Sequence, residues 1–180
     1  MTLFTNEKGE KLFTLDEIKD STMLANKARY KLTGCLYLAA MEIVGKELAD
    51  KIIQQGYFKY GHLKHEGKEI VPGSVERVCE IYAPGEFPYF PAAPGEIPTE
   101  VVSQDKAIIQ WCNGIDWPGC VAWWQGTGMT KEQAIDMCHN ASYGDIGYAD
   151  KCGLDGYMTK YACEGHGCCE FVVETRKEKK

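Results

Sequence analysis

With 180 residues, 44% of them hydrophobic and 26% charged, the chain has the size of one domain, 1–180, able to bury a core without disulfides or a metal. Its formal charge of −6 repels phosphate backbones and argues against nucleic acid as a partner. No apolar run reaches the ~18 residues of a spanning helix, since Lys46, Glu47 and Asp50 interrupt the best candidate, so no membrane partner is expected either.

The first residues lack the basic-then-apolar layout of a secretory leader, which implies a cytoplasmic protein. Residues 15–64 hold no proline, and apolar residues recur there at helical spacing. Leu36, Ala39, Ala40, Ile43 and Val44 form one expected core stripe, continued by Leu48, Ile52 and Ile53. Gly34 and Gly45 are possible breaks, giving two or three helices. Glu47 and Asp50 early, with His62 late, suit the dipole of the later helix. Gly56 and Gly61 within it suggest close packing on another backbone, or its end.

Residues 74–82 alternate enough to predict a strand, with Val75, Val78 and Ile81 inward. Six of the seven prolines lie within 72–98, and 83–98 can be neither helix nor central strand. Phe87, Tyr89 and Phe90 make it an ordered, Pro-rich loop insertion packed on the domain, or a pocket wall.

Residues 100–112 read as strand, turn and strand, with Gln104 and Asp105 near the turn. All four tryptophans follow within a short stretch, Trp111 to Trp124. Thr130 and Gln133 form a capping box that starts a helix over 130–139. Residues 157–175 read as a closing hairpin around Glu164, Gly165, His166 and Gly167, with Cys169–Thr175 as its second strand. Residues 176–180 are a charged tail. The order predicts an α+β fold: N-terminal helices packed on a mostly antiparallel sheet, closed by a C-terminal β-hairpin.

Nine cysteines, an odd number, with no sign of secretion imply free thiols in an anaerobic or strongly reducing cytosol rather than a disulfide scaffold. Three groups of residues can carry chemistry. Cys163 and Cys168, with Cys112 and Cys120 from the tryptophan-rich loop, can make a four-thiolate zinc site. The alternative is that hairpin cysteines such as Cys169 are buried as small hydrophobes beside Phe171. Cys138, His139 and Asp145 can serve as thiol, base and orienting carboxylate. Adjacent helix positions point about 100° apart, which sets Cys138 and His139 at odds as a dyad and favours His139 with Asp136 or Asp145. Trp111, Trp117, Trp124, Tyr143 and Tyr148, with His166 and Cys169, can line a pocket for a cyclic or aromatic ligand. No phosphate loop, dinucleotide fingerprint or nucleophile elbow is present.

Residues 41–67, and 157–173 with Gly165, Cys169 and Phe171, resemble the 4-vinyl reductase type of small-molecule-binding domain. The second stretch also resembles the L-2-amino-thiazoline-4-carboxylic acid hydrolase-like family, in which a Cys-containing helix with a nearby aspartate precedes the hairpin. Here Cys138 and Asp145 stand in that place at wider spacing. The resemblance implies an α/β fold, a homodimer and, in some sensor domains, zinc held by cysteines. It points to a small hydrolase that opens a cyclic substrate, with Asp145 or His139 activating water. The alternative it implies is a non-catalytic module for an aromatic or hydrocarbon ligand, with any zinc structural.

Overall fold

The computed structural model describes residues 3–5, 8–9, 11–63, 69–82, 99–111 and 120–177. The Pro-rich 83–98 segment, the stretch from Cys112 to 119 with Trp117, and residues 178–180 lie outside the described residues.

A two-stranded antiparallel ribbon, β1 (Leu3–Thr5) and β2 (Lys11–Thr14), leads into helix α1 (Leu15–Val44). Gly34 does not break this helix; Gly45 does. At Gly45 φ is +78°, in the left-handed region that costs glycine least. Helix α2 (Lys46–Leu63) then folds back along α1. The pair is pinned by Tyr37 Oη donating to Asp50 Oδ1 at 2.6 Å and by Arg29 Nη1 donating to Tyr60 Oη at 3.2 Å.

Of the expected core stripe, Ala40 and Ile53 pack on the core, whereas Leu36, Ala39, Ile43, Val44, Leu48 and Ile52 face outward. Leu36 is 54% and Ile43 81% exposed, while Tyr37 is fully buried, with Tyr30, Leu38 and Met41 packed on the same cluster. The helix is apolar on two sides, and its own domain takes the side carrying tyrosines.

Residues 75–82 are a helix, α3 (Val75–Tyr82), not a strand. Val75, Val78, Cys79 and Tyr82 are all buried, the i, i+3, i+4, i+7 set of a helical stripe. Ser74 Oγ accepts from the Arg77 N–H at 3.1 Å and caps the helix.

The sheet comes next: β3 (Thr99–Ser103) and β4 (Lys106–Trp111) are joined at Gln104 and Asp105. Three helices follow, α4 (Cys120–Gln125), α5 (Lys131–Ala141) and α6 (Tyr143–Lys151). The chain closes with β5 (Leu154–Lys160), a 3-10 turn (Ala162–Glu164) and β6 (Cys169–Thr175). Strand order is β3-β4-β6-β5, antiparallel throughout. The fold is therefore α+β, with helices packed on an antiparallel sheet and β5–β6 as the closing hairpin.

Two apolar clusters build the domain. One joins α3 and α6 to the sheet, where Ala107 pairs with Val173 and Ile109 with Phe171 on the inward face. The other joins α1 and α2 to α4 and α5 around Tyr37, Trp124 and Met137. Where α2 crosses α6 the backbones touch. A Cβ on Gly61 would lie 2.2 Å from the Gly144 carbonyl oxygen, and one on Gly147 2.2 Å from that of Phe58. Gly61 therefore marks close packing, whereas a Cβ at Gly56 would meet nothing within 4 Å. No described helix is long and apolar enough to cross a membrane.

Candidate active site

Helix α5 starts at the expected capping box. The Gln133 N–H donates to Thr130 Oγ1 at 3.2 Å, and the Thr130 N–H donates to Gln133 Oε1 at 2.9 Å. This fixes the helix phase, so Ala134 and Met137 point into the core and Cys138 and His139 emerge on its last turn. The 3-10 turn lies against that end of the helix. It is shaped by Gly165 at φ +93° and by the Ala162 N–H donating to Cys169 Sγ at 3.3 Å.

Two successive residues of the turn meet two successive residues of α5. Cys163 accepts a hydrogen bond from the Cys138 thiol. Glu164 Oε1 lies 3.0 Å from His139 Nε2. That nitrogen has no aligned hydrogen-bond acceptor among the described residues, so the contact is a charge contact off the ring N–H direction. Tyr161 lays its ring 4.3 Å from the imidazole, tilted by 54°. Ser142 Oγ donates to the His139 carbonyl at 2.7 Å and lies 3.1 Å from Tyr161 Oη. Since the serine proton is used on the carbonyl, the tyrosine hydroxyl is the donor of that second bond.

The electrostatics separate the thiols. The bond from Cys138 draws the Cys163 thiol below its ordinary value, against opposing effects of burial and of the neighbouring Cys169 and Glu164. Burial pushes Cys79 and Cys152 up to about 11. Burial also raises Tyr161, with Glu164 adding to it. Among the described cysteines, Cys163 combines partial exposure with a thiolate-favouring partner.

The difficulty posed by the 100° step between Cys138 and His139 is met by the turn, which offers a separate partner to each. Asp145 is elsewhere: on α6 it accepts from Tyr82 Oη at 2.9 Å, beside the buried Tyr148. Asp136 meets Lys46 Nζ at 3.0 Å. The carboxylate that meets His139 is Glu164. Sequence reasoning missed Glu164, Tyr161 and Ser142, and read Cys163 as a metal ligand. The available signal was the adjacent Cys–Glu pair in the turn, matched to the adjacent Cys–His pair on the helix.

Of the expected pocket residues, Tyr148 is fully buried against Tyr82, with ring centroids 5.1 Å apart at 87°. Trp124 is buried beside Tyr30, and its indole N–H has no acceptor among the described residues. Tyr143 is half-buried on α6, and His166 is exposed beyond the turn. Cys168 and Cys169 are half-buried. Trp111 ends β4 and Cys120 begins α4, but their side chains, like Cys112 and Trp117, lie outside the described residues. Half of the four-thiolate zinc arrangement therefore does too. Among the described residues, no group of three or more His, Cys, Asp or Glu is set to hold a metal ion.

An open groove of about 340 Å³ lies on another part of the surface, lined by Phe58, Ile146, Asp150, Tyr157, Glu174 and Arg176 among others. Arg176 is paired with Asp150 there, and His62 Nε2 lies 2.9 Å from the same carboxylate. None of Cys138, His139 or Asp145 lines it. No protein-family model matches the chain, and no curated protein matches it.

Proposed function

We propose that this chain is a small cytoplasmic enzyme that opens a cyclic small molecule by hydrolysis of a ring C–N bond at the junction of α5 and the 3-10 turn. The observation that carries the reading is the juxtaposition of an acidified thiol with a histidine–carboxylate pair on consecutive residues. The likeness of Gly165, Cys169 and Phe171 to the hydrolase-like hairpin supports it.

The chemistry runs in two steps. Cys163 Sγ, as thiolate, forms a bond to the electrophilic ring carbon, and the ring C–N bond breaks as the nitrogen takes a proton from protonated His139. Neutral His139 then accepts a proton from water, whose oxygen bonds to the same carbon. The C–S bond breaks, and the Cys163 thiolate returns. Glu164 stabilises the imidazolium, Cys138 holds the thiolate, and Tyr161 fixes the ring by stacking. Asp145 holds Tyr82 and touches no reacting atom.

The test is turnover of thiazoline and lactam rings, scored as addition of one water. His139→Gln and Cys163→Ser should each lower it by about 10²–10⁴-fold, and Asp145→Asn much less. Unchanged turnover in both site variants rules the assignment out.

A second reading, a non-catalytic module for an aromatic ligand, is favoured by the buried Trp124 N–H, which finds no acceptor among the described residues. Native mass spectrometry of freshly purified protein distinguishes it. A retained apolar ligand, together with no ring opening, selects the module.

A further inference from the structure

Helix α1 has a second apolar face that the described residues of its own domain leave uncovered. At 3.6 residues per turn, Tyr30, Gly34, Tyr37 and Met41 fall on the side packed on α2 and α4. Leu24, Ala28, Leu32, Leu36, Ala39 and Ile43 fall on the opposite side, three or four residues apart, and all are exposed. Leu24 is 67%, Leu32 63% and Ile43 81% exposed. A helix that is apolar all round is a buried helix. The stripe runs about 30 Å, and at ~10 Å in width its area is roughly 300 Å², the size of the largest apolar patch on a typical monomer, which is often functional.

The early part of the helix has the same need. Every side chain described between residues 20 and 29 is exposed, and an unsupported helix of that length is marginal in water.

The stripe is complementary to itself. Turned end for end about the midpoint of Cys35 and Leu36, it sets Leu32 against Ala39 of the other copy and Ala28 against Ile43, large against small in both layers. Cys35 then faces Leu36. The same turn leaves Lys31 two residues, about 3 Å along the axis, from the level of Glu42 of the other copy on one flank, opposite charges at both symmetric places, and like flanks meet only in an antiparallel pair. An isologous twofold contact has this signature.

We propose that α1 pairs antiparallel with α1 of a second copy of this chain, crossing at Cys35 and Leu36. The inference is independent of the catalytic reading.

Sedimentation velocity in reducing buffer tests it, reducing conditions keeping Cys35 from forming a disulfide between copies. The full chain should sediment at twice its 20.1 kDa mass. Leu36→Glu should weaken the dimer at least about tenfold with unchanged circular dichroism, and Ala28→Glu serves as a second variant on the same face. Lys31→Glu and Glu42→Lys should each weaken it, and the double reversal should restore it. A monomeric wild type at ~50 μM overturns the proposal. So does a dimer indifferent to both Leu36→Glu and Ala28→Glu, which would place the contact on another face. Failure of the double reversal to restore affinity overturns the antiparallel register.

Discussion

Glu164 Oε1 sits 3.0 Å from His139 Nε2 although the two residues are 25 positions apart in the chain. The contact exists because β5 delivers the 3-10 turn onto the end of α5, where Cys163 meets Cys138 in the same way. Replacing the carboxylate should therefore act on catalysis more than on folding. We predict that Glu164→Gln lowers kcat by about tenfold or more, while the thermal midpoint moves little, since an exposed ion pair contributes only ~0–1 kcal/mol. Steady-state kinetics beside a thermal melt checks both halves.

Thiol reactivity should follow the thiolate-favouring bond. At about pH 7.5, iodoacetamide should modify Cys163 well before Cys79 and Cys152, which burial holds up at about 11. Cys138→Ala removes the donor and should slow alkylation of Cys163 about three- to tenfold. Peptide mass mapping over time reads the rates, and an unchanged or faster Cys163 in that variant contradicts the thiol pair.

The glycine crossing of α2 and α6 should be intolerant of a methyl group. Gly147→Ala drives a Cβ into the Phe58 carbonyl, so the helices must separate. A loss of ~1–3 kcal/mol or more corresponds to a thermal midpoint lower by roughly 2–12 °C for a domain of this size. Gly56→Ala, with open space around its Cβ, should hold or raise the midpoint, because alanine is the better helix former by up to ~1 kcal/mol. Calorimetry on the pair decides.

Glu170 on β6 gives a defined acid limb. Hydrogen bonds from Lys160, Thr159 and Gln110 hold its carboxyl down at about 2. In the unfolded chain the group titrates near ~4.3, so between those values the unfolded state binds more protons. Its contribution is complete above the unfolded value and is lost as pH falls towards 2. Urea titrations from pH 6 to 2.5 should show Glu170→Gln with a shallower loss of stability than wild type. Equal slopes would remove Glu170 from the account.

What could be read from the chain alone was what local chemistry decides. The capping box of Thr130 and Gln133, the turn at Gln104 and Asp105 and the strand Cys169–Thr175 each depend on a few neighbouring residues, and each is found. The eight residues of α3 were too few to separate a three-four spacing from an alternating one. On α1 the period was legible, but both faces are apolar, and only packing shows that Tyr37 turns inward and Leu36 outward. The site was half legible for the same reason. Cys138 and His139 stand out in sequence, whereas Glu164 and Tyr161 join them only once the hairpin has folded over α5. Asp145, close in sequence, is taken by Tyr82.

The central claim is that Cys163 and His139 act together on a ring, and intact-mass spectrometry of an acid-quenched reaction tests it most directly. With a cyclic thiazoline or lactam substrate, wild type quenched during turnover should carry a covalent adduct that maps to Cys163, Cys163→Ser should carry none, and His139→Gln, which lacks both the acid of the first step and the base of the second, should form and lose it slowly. Wild-type turnover with no adduct on Cys163 in any variant, or full turnover in Cys163→Ser, would contradict it.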